Sequence, residues 1–267
     1  MAINTPKWLL ALCVRIKKKL IEGNAMITKA DKGSSVIVMY SPEYNNKIDN
    51  FIDSNNFACL TTDITRKLQR DIRNTVNDCH SVIPKDDKWR YINLCPTLPT
   101  IRGLVNIHKV TAPIRPVINW KNAPAYKFAK MLAKKLKTYI PLPYAFNVKN
   151  TTQLINDLKD ISYNHNLRLA SFDIKNMYTN ISTSKLTSII EKDCQDNHID
   201  YKIKLDIIKL SNTVNNQNCF QFHGDTYIQM EGLAMGAPTS SVLSEFYLQH
   251  LETTNIYNAL LEHNIVG

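Results

Sequence analysis

The spacing of apolar residues changes several times along this chain, and each change marks an element. Over residues 167–174 the period is two. Leu167, Leu169, Ser171 and Asp173 alternate with Arg168, Ala170, Phe172 and Ile174, which predicts a half-buried β-strand. Residues 7–22 instead predict a short basic helix with Lys17, Lys18 and Lys19 on a solvated face. Residues 27–40 predict a turn at Asp31-Lys32-Gly33 and then a strand, because Val36 to Tyr40 are β-branched or large. Residues 41–89 are mixed and polar, which predicts helix, with Asp86-Asp87 in a surface turn.

A proline-rich connector at residues 95–99 marks a boundary. Beyond it, two extended segments flank Thr111-Ala112-Pro113, so residues 101–120 predict a β-hairpin. Residues 125–139 form an amphipathic helical pattern. Phe128, Met131, Leu132, Leu136 and Tyr139 fall on one side, and Lys127, Lys130, Lys134 and Lys137 gather on another. Helical spacing returns over 151–161, at Ile189-Ile190 and over 203–210, and residues 220–230 read as strand, turn and strand. Small residues dominate 232–241, after which Val242, Leu243, Phe246, Tyr247 and Leu251 follow helical spacing. No internal repeat or low-complexity tract interrupts the pattern.

Composition narrows the function. The 267 residues suffice for one large domain or two ordinary ones. The 33 lysines and arginines exceed the 23 aspartates and glutamates, giving a net charge of +10. That balance points to a polyanionic partner, nucleic acid before membrane. The six cysteines are scattered without a CxxC pair, as expected of free thiols in a reducing compartment. Cys194 and His198 lie one helical turn apart but lack a second pair of ligands for zinc. The longest early apolar run, residues 8–14, is too short to span a bilayer, and its charges follow it. The expected place of the protein is therefore intracellular.

Three groups of residues are candidates for chemistry. Asp173 ends an apolar strand, where a carboxylate is costly unless it is paired, binds a metal or caps a helix. Tyr178 follows five residues later. Lys109 and Arg115, on opposite arms of the predicted hairpin, can converge on a polyphosphate, Arg as a planar fork and Lys as a point charge. The same pair also suits an ordinary solvated hairpin. Pro116 holds Arg115 extended. The loop over 232–241, with Met235 and Gly236, lets a planar group approach the backbone, or is a glycine turn before a core helix. The lysine side of residues 125–139 can track a phosphate backbone or can be a soluble surface.

These segments occur in the order seen in reverse transcriptases, and the chain resembles most closely those of Penelope-like retroelements. TKADKGSSVIVM is similar to an N-terminal signature of that family, and GLVNIHK with PIRPVINW to its fingers motif. SFDIKNMYTNI resembles palm motif A, and GLAMGAPTSSVLSEFYLQHLE motif B. The resemblance implies an α+β right-hand polymerase fold. Residues 1–94 would be an N-terminal, mostly helical extension and 95–267 the reverse transcriptase domain, with fingers to about 166 and a partial palm over 167–267. It implies RNA-directed DNA synthesis, with RNA template, DNA primer and deoxynucleoside triphosphates as partners, no membrane, and the nucleus as its place.

By the same resemblance, the carboxylate of Asp173 and the backbone carbonyl of Ile174 would hold Mg²⁺, two ions serving the complete enzyme. Tyr178 would exclude a ribose 2′-hydroxyl, Lys109 and Arg115 would hold the triphosphate, and Met235 and Gly236 would line the nascent base pair. The sequence departs from the family at Asn106, often a lysine, and at Ser241, usually a proline. The expectation is also of a fragment, since the second carboxylate pair of motif C does not occur before Gly267, and of no activity by these 267 residues alone. The competing expectation is a non-enzymatic nucleic-acid-binding remnant of a domesticated retroelement. The ADKG segment has no role derivable from the sequence.

Overall fold

A computed structural model describes residues 6–55, 57–142, 148, 150–159, 173, 174 and 176–263. The chain forms two compact units, each built from three separate stretches of sequence. Both units draw on residues from either side of the 94/95 division expected from the motifs, and one unit boundary, at Thr97/Leu98, lies inside the proline-rich connector.

The first unit comprises residues 1–63, 98–122 and 219–230. Its described elements are α1 (Lys7–Glu22), β1 (Ala25–Lys29), β2 (Val36–Tyr40), α2 (Ser41–Asp53), β3 (Phe57–Leu60), β4 (Thr100–Val105), β5 (Ile114–Asn119), β6 (Cys219–Phe222) and β7 (Asp225–Gln229). Strands β1 and β2 pair antiparallel, with Ala25 opposite Tyr40 and Lys29 opposite Val36. The other five form one sheet in the order β3-β7-β6-β4-β5, antiparallel except for the β4–β6 pair. Pro116 lies on β5 at the sheet edge, where a missing N–H breaks no ladder. Helix α2 buries Tyr44, Ile48 and Ile52, spaced four apart on one face. The Tyr44 hydroxyl accepts a hydrogen bond from the Gly103 amide at 2.7 Å. Strands β6 and β7 turn through His223 and Gly224, both at positive φ (51° and 95°), as a tight hairpin requires.

One expectation fails here. Residues 41–89 are not all helix, because Phe57–Leu60 forms β3. Four residues are too few to show a period, and this strand exists only through its partner β7, with Phe57 opposite Gln229.

The second unit comprises residues 64–97, 123–218 and 231–267, and among the described residues its regular structure is helical. It contains α3 (Thr65–Asp78), a 3-10 helix (Lys85–Tyr91), α4 (Tyr126–Tyr139), α5 (Thr151–Lys159), α6 (Met177–Asn180), α7 (Thr183–Asp196), α8 (Tyr201–Asn215), α9 (Ser240–Leu251) and α10 (Tyr257–Glu262). Asp200 caps α8, accepting from the amides of Lys202 and Ile203. Helix α8 packs against α3, α4 and α7 through Ile207, Leu210 and Val214, all fully buried. Asp206, at the edge of the same face, accepts from the amides of Ser81 (2.7 Å) and Val82 (3.2 Å) and so ties down the loop after α3. Asp86 and Asp87 lie in the 3-10 helix, Asp87 paired with Arg90 at 3.0 Å. Among the described residues, no helix is long and apolar enough to cross a membrane.

Candidate functional site

The sequence candidates divide between the two units. In the first, Lys109 and Arg115 belong to the β4–β5 hairpin, but not on opposite arms. The ladder closes with the Asn106 amide donating to the Pro113 carbonyl at 2.8 Å, so Lys109 lies in the exposed connecting loop. Arg115 is on β5, opposite Leu104. Its guanidinium is paired, with Nη1 3.1 Å from Oδ1 of Asp31. The arginine side chain is 63% exposed and the aspartate side chain 1%.

Asp31 is the acid of the ADKG segment. Its amide donates to the Val105 carbonyl at 2.9 Å, and Ala30 makes a parallel bridge with Val105. Upstream, Thr28 Oγ1 donates to the Gly103 carbonyl at 3.1 Å. Gly33, at φ 77°, supplies the left-handed residue of the turn. The Ala30 amide closes that turn on the Ser35 carbonyl at 3.1 Å. The segment is therefore bound along β4 with its carboxylate against Arg115.

In the second unit, residues 160–172 and 175 lie outside the described residues, and with them most of the predicted central strand. Asp173 and Ile174 are described, and both are exposed and without regular structure. Asn176 follows at φ 52°, an αL conformation that asparagine tolerates, and opens the single turn α6. Tyr178, half-buried, sits on that turn. Its carbonyl accepts a hydrogen bond from the Leu233 amide at 2.7 Å. This bond joins the segment resembling motif A to the loop resembling motif B, 55 positions apart in sequence (233 − 178).

The loop itself is held from beneath. Gly232 and Gly236 take positive φ (87° and 81°), and Leu233 and Ala234 are buried. Asn218 Nδ2 donates to the Gly232 carbonyl at 3.2 Å, and Ser240 Oγ to the Ala234 carbonyl at 2.6 Å. Two buried side chains thus satisfy loop carbonyls that water cannot reach. Above them Met235 is half-buried and Gly236 exposed, so a flat group can reach the backbone there.

Asp173 and the Ile174 carbonyl are hard oxygen donors of the kind Mg²⁺ takes, and Mg²⁺ sites commonly use one or two carboxylates with waters and substrate phosphates. The exposed carboxylate of Asp173 fits such a partial set. Among the described residues no group of three His, Cys, Asp or Glu forms a metal cluster.

The sequence also pointed to the lysine side of α4, and the structure gives it a shape. Between the 3-10 helix and α4 lies a groove of about 550 Å³, and Arg90, Lys127, Lys130, Lys134 and Lys135 contribute five cations to it. Met131 forms apolar floor, Tyr91 and Tyr126 add half-buried rings, and no carboxylate lines it.

No family model matches the chain, and no curated protein does. A solved structure does: telomerase from Candida albicans, in complex with the TWJ fragment of telomeric RNA. The match has a TM-score of 0.55 at 11% identity and covers 95% of this chain. The chain spans 45% of the telomerase chain. Its α+β fold resembles that of a telomerase, a reverse transcriptase, and at this identity the likeness concerns fold.

Proposed function

We propose that this chain is the fingers and part of the palm of an RNA-directed DNA polymerase of a Penelope-like retroelement, working in the nucleus on RNA template, DNA primer and deoxynucleoside triphosphates. The hydrogen bond from Leu233 to Tyr178 is the observation that carries this reading, because it brings together the two sequence segments a polymerase palm needs side by side. The telomerase-like fold supports it.

Asp173 and the carbonyl of Ile174 would hold Mg²⁺, which when bound supplies charge neutralisation and an activated primer hydroxyl. Tyr178 would place its ring against the sugar and turn away a 2′-hydroxyl. Met235 and Gly236 would seat the nascent base pair on the exposed backbone. Lys109 and Arg115 would take the triphosphate.

The test is primer extension on an RNA template by the longest protein the coding sequence specifies. Asp173→Ala should abolish extension, and Tyr178→Ala should admit ribonucleotides while extension continues. Extension that persists in Asp173→Ala would refute the reading.

A second reading, the non-enzymatic nucleic-acid-binding remnant, is favoured by the cationic groove beside α4, which needs neither Asp173 nor Tyr178. It predicts oligonucleotide binding in Asp173→Ala equal to wild type, with no extension by either.

A further inference from the structure

The ADKG segment has no part in the reading above, yet its acid is the one anion paired with Arg115 among the described residues. The geometry of that pair is unusual for a purely structural bridge. A buried ion pair is best satisfied when two carboxylate oxygens meet two guanidinium donors in a fork. Here a single oxygen meets a single Nη at 3.1 Å. The second oxygen, Oδ2, is buried and has no hydrogen-bond partner among the described residues. Such an orphan is costly and calls for an explanation.

Arg115 is engaged at one corner only. Its remaining donors belong to a side chain left 63% exposed. A carboxylate fixed to the protein backbone on one side and an open guanidinium fork on the other is a means of aiming that fork at an anion. The fixing is backbone-deep: the Asp31 amide on Val105 and the Ala30–Val105 bridge hold the acid against β4, and Arg115 stands on the paired strand β5. Anchored this way, the long arginine side chain loses its rotamer freedom on folding instead of on ligand binding, which raises affinity.

We infer that Asp31 is a positioning residue that presents Arg115 to the triphosphate of the incoming nucleotide, and that the ADKG turn is the strap that carries it. The inference rests on the reading of Arg115 as a triphosphate ligand.

The experiment measures the affinity of the chain for Mg²⁺–dTTP and for inorganic tripolyphosphate. Four variants are compared with wild type: Asp31→Asn, Asp31→Glu, Arg115→Lys, and Asp31→Asn with Arg115→Lys. Arg115→Lys keeps a cation over the buried acid, so it tests the fork without leaving Asp31 uncompensated. It should weaken both probes about tenfold, the size of one charge-assisted hydrogen bond. Asp31→Asn should weaken both by a similar factor, Asp31→Glu should recover part of the loss, and Asp31→Asn should add little when combined with Arg115→Lys. In the longest coding product, Asp31→Asn should raise KM for the nucleotide and leave kcat unchanged, the mark of lost binding and not of lost fold.

If Arg115→Lys weakens binding and Asp31→Asn does not, the inference falls and the reading of Arg115 stands. If Asp31→Asn costs as much in the Arg115→Lys background as it does alone, Asp31 acts through the fold and the inference falls. If Arg115→Lys leaves both affinities unchanged, the triphosphate reading falls, and the inference with it.

Discussion

At Asp193, on α7, the charge itself is a burden. Burial raises its carboxyl from the usual 3.8 to about 6, the nearby charge of Asp196 adds to the rise, and Lys192 opposes it. A raised carboxyl means that the folded chain holds its proton when the unfolded chain has lost it. Between about pH 4 and pH 6 the folded state therefore binds more protons, and stability falls as pH rises. A shift of that size corresponds to at most about 3 kcal/mol, and solvent at the half-buried side chain lowers it. Asp193→Asn should be more stable than wild type above about pH 6 and equal to it near pH 4. Urea unfolding at the two pH values checks this, and an unchanged pH dependence in the variant would refute it. Asp173 and Tyr178 stand out in the sequence as candidates because their neighbours carry a pattern. The Asp31–Arg115 pair was not, since it joins positions 84 apart (115 − 31) through a strand packing that no local period records.

Among the elements, the legible ones are those whose signal is local. Helix α4 shows it best: Phe128, Leu132 and Leu136 are fully buried on one face, while Lys127, Lys130 and Lys134 stay exposed on the other, as the spacing predicts. Those three lysines span about 10 Å along the helix at 1.5 Å per residue, and none has an ion pair among the described residues. Single-stranded nucleic acid loses affinity with salt at a slope near −0.7 per phosphate contacted. Replacing Lys127, Lys130 and Lys134 by Gln should flatten that slope by about 2, measured by anisotropy of a labelled single strand across a salt series. The same exchange at Lys17, Lys18 and Lys19 on α1 removes as much charge from the protein. An equal loss there would show a net-charge effect and rule out the groove as the binding surface.

For the molecule as a whole, the sequence hides the strand order. Hairpins β4–β5 and β6–β7 are local and were legible. Their joining is not, because β6 comes over 100 residues after β4 and settles beside it through Thr100 and Gln221. Nor is the place of β3, which reaches β7 across most of the chain. Phe220 sits at this junction. It is 1% exposed, meets Phe57 edge-on at 5.1 Å and stacks on Tyr227 at 5.6 Å, so one ring packs onto residues from β3 and β7 together. Removing it leaves a cavity among three strands, two of which have no local reason to remain paired. Phe220→Ala should therefore cost the first unit about 3–5 kcal/mol, the usual range for a buried phenylalanine. Trp120, buried in the same unit, provides the fluorescence signal for a denaturant titration. A midpoint that does not move would mean that β3 and β7 stay paired without the Phe220 ring, and would refute the prediction.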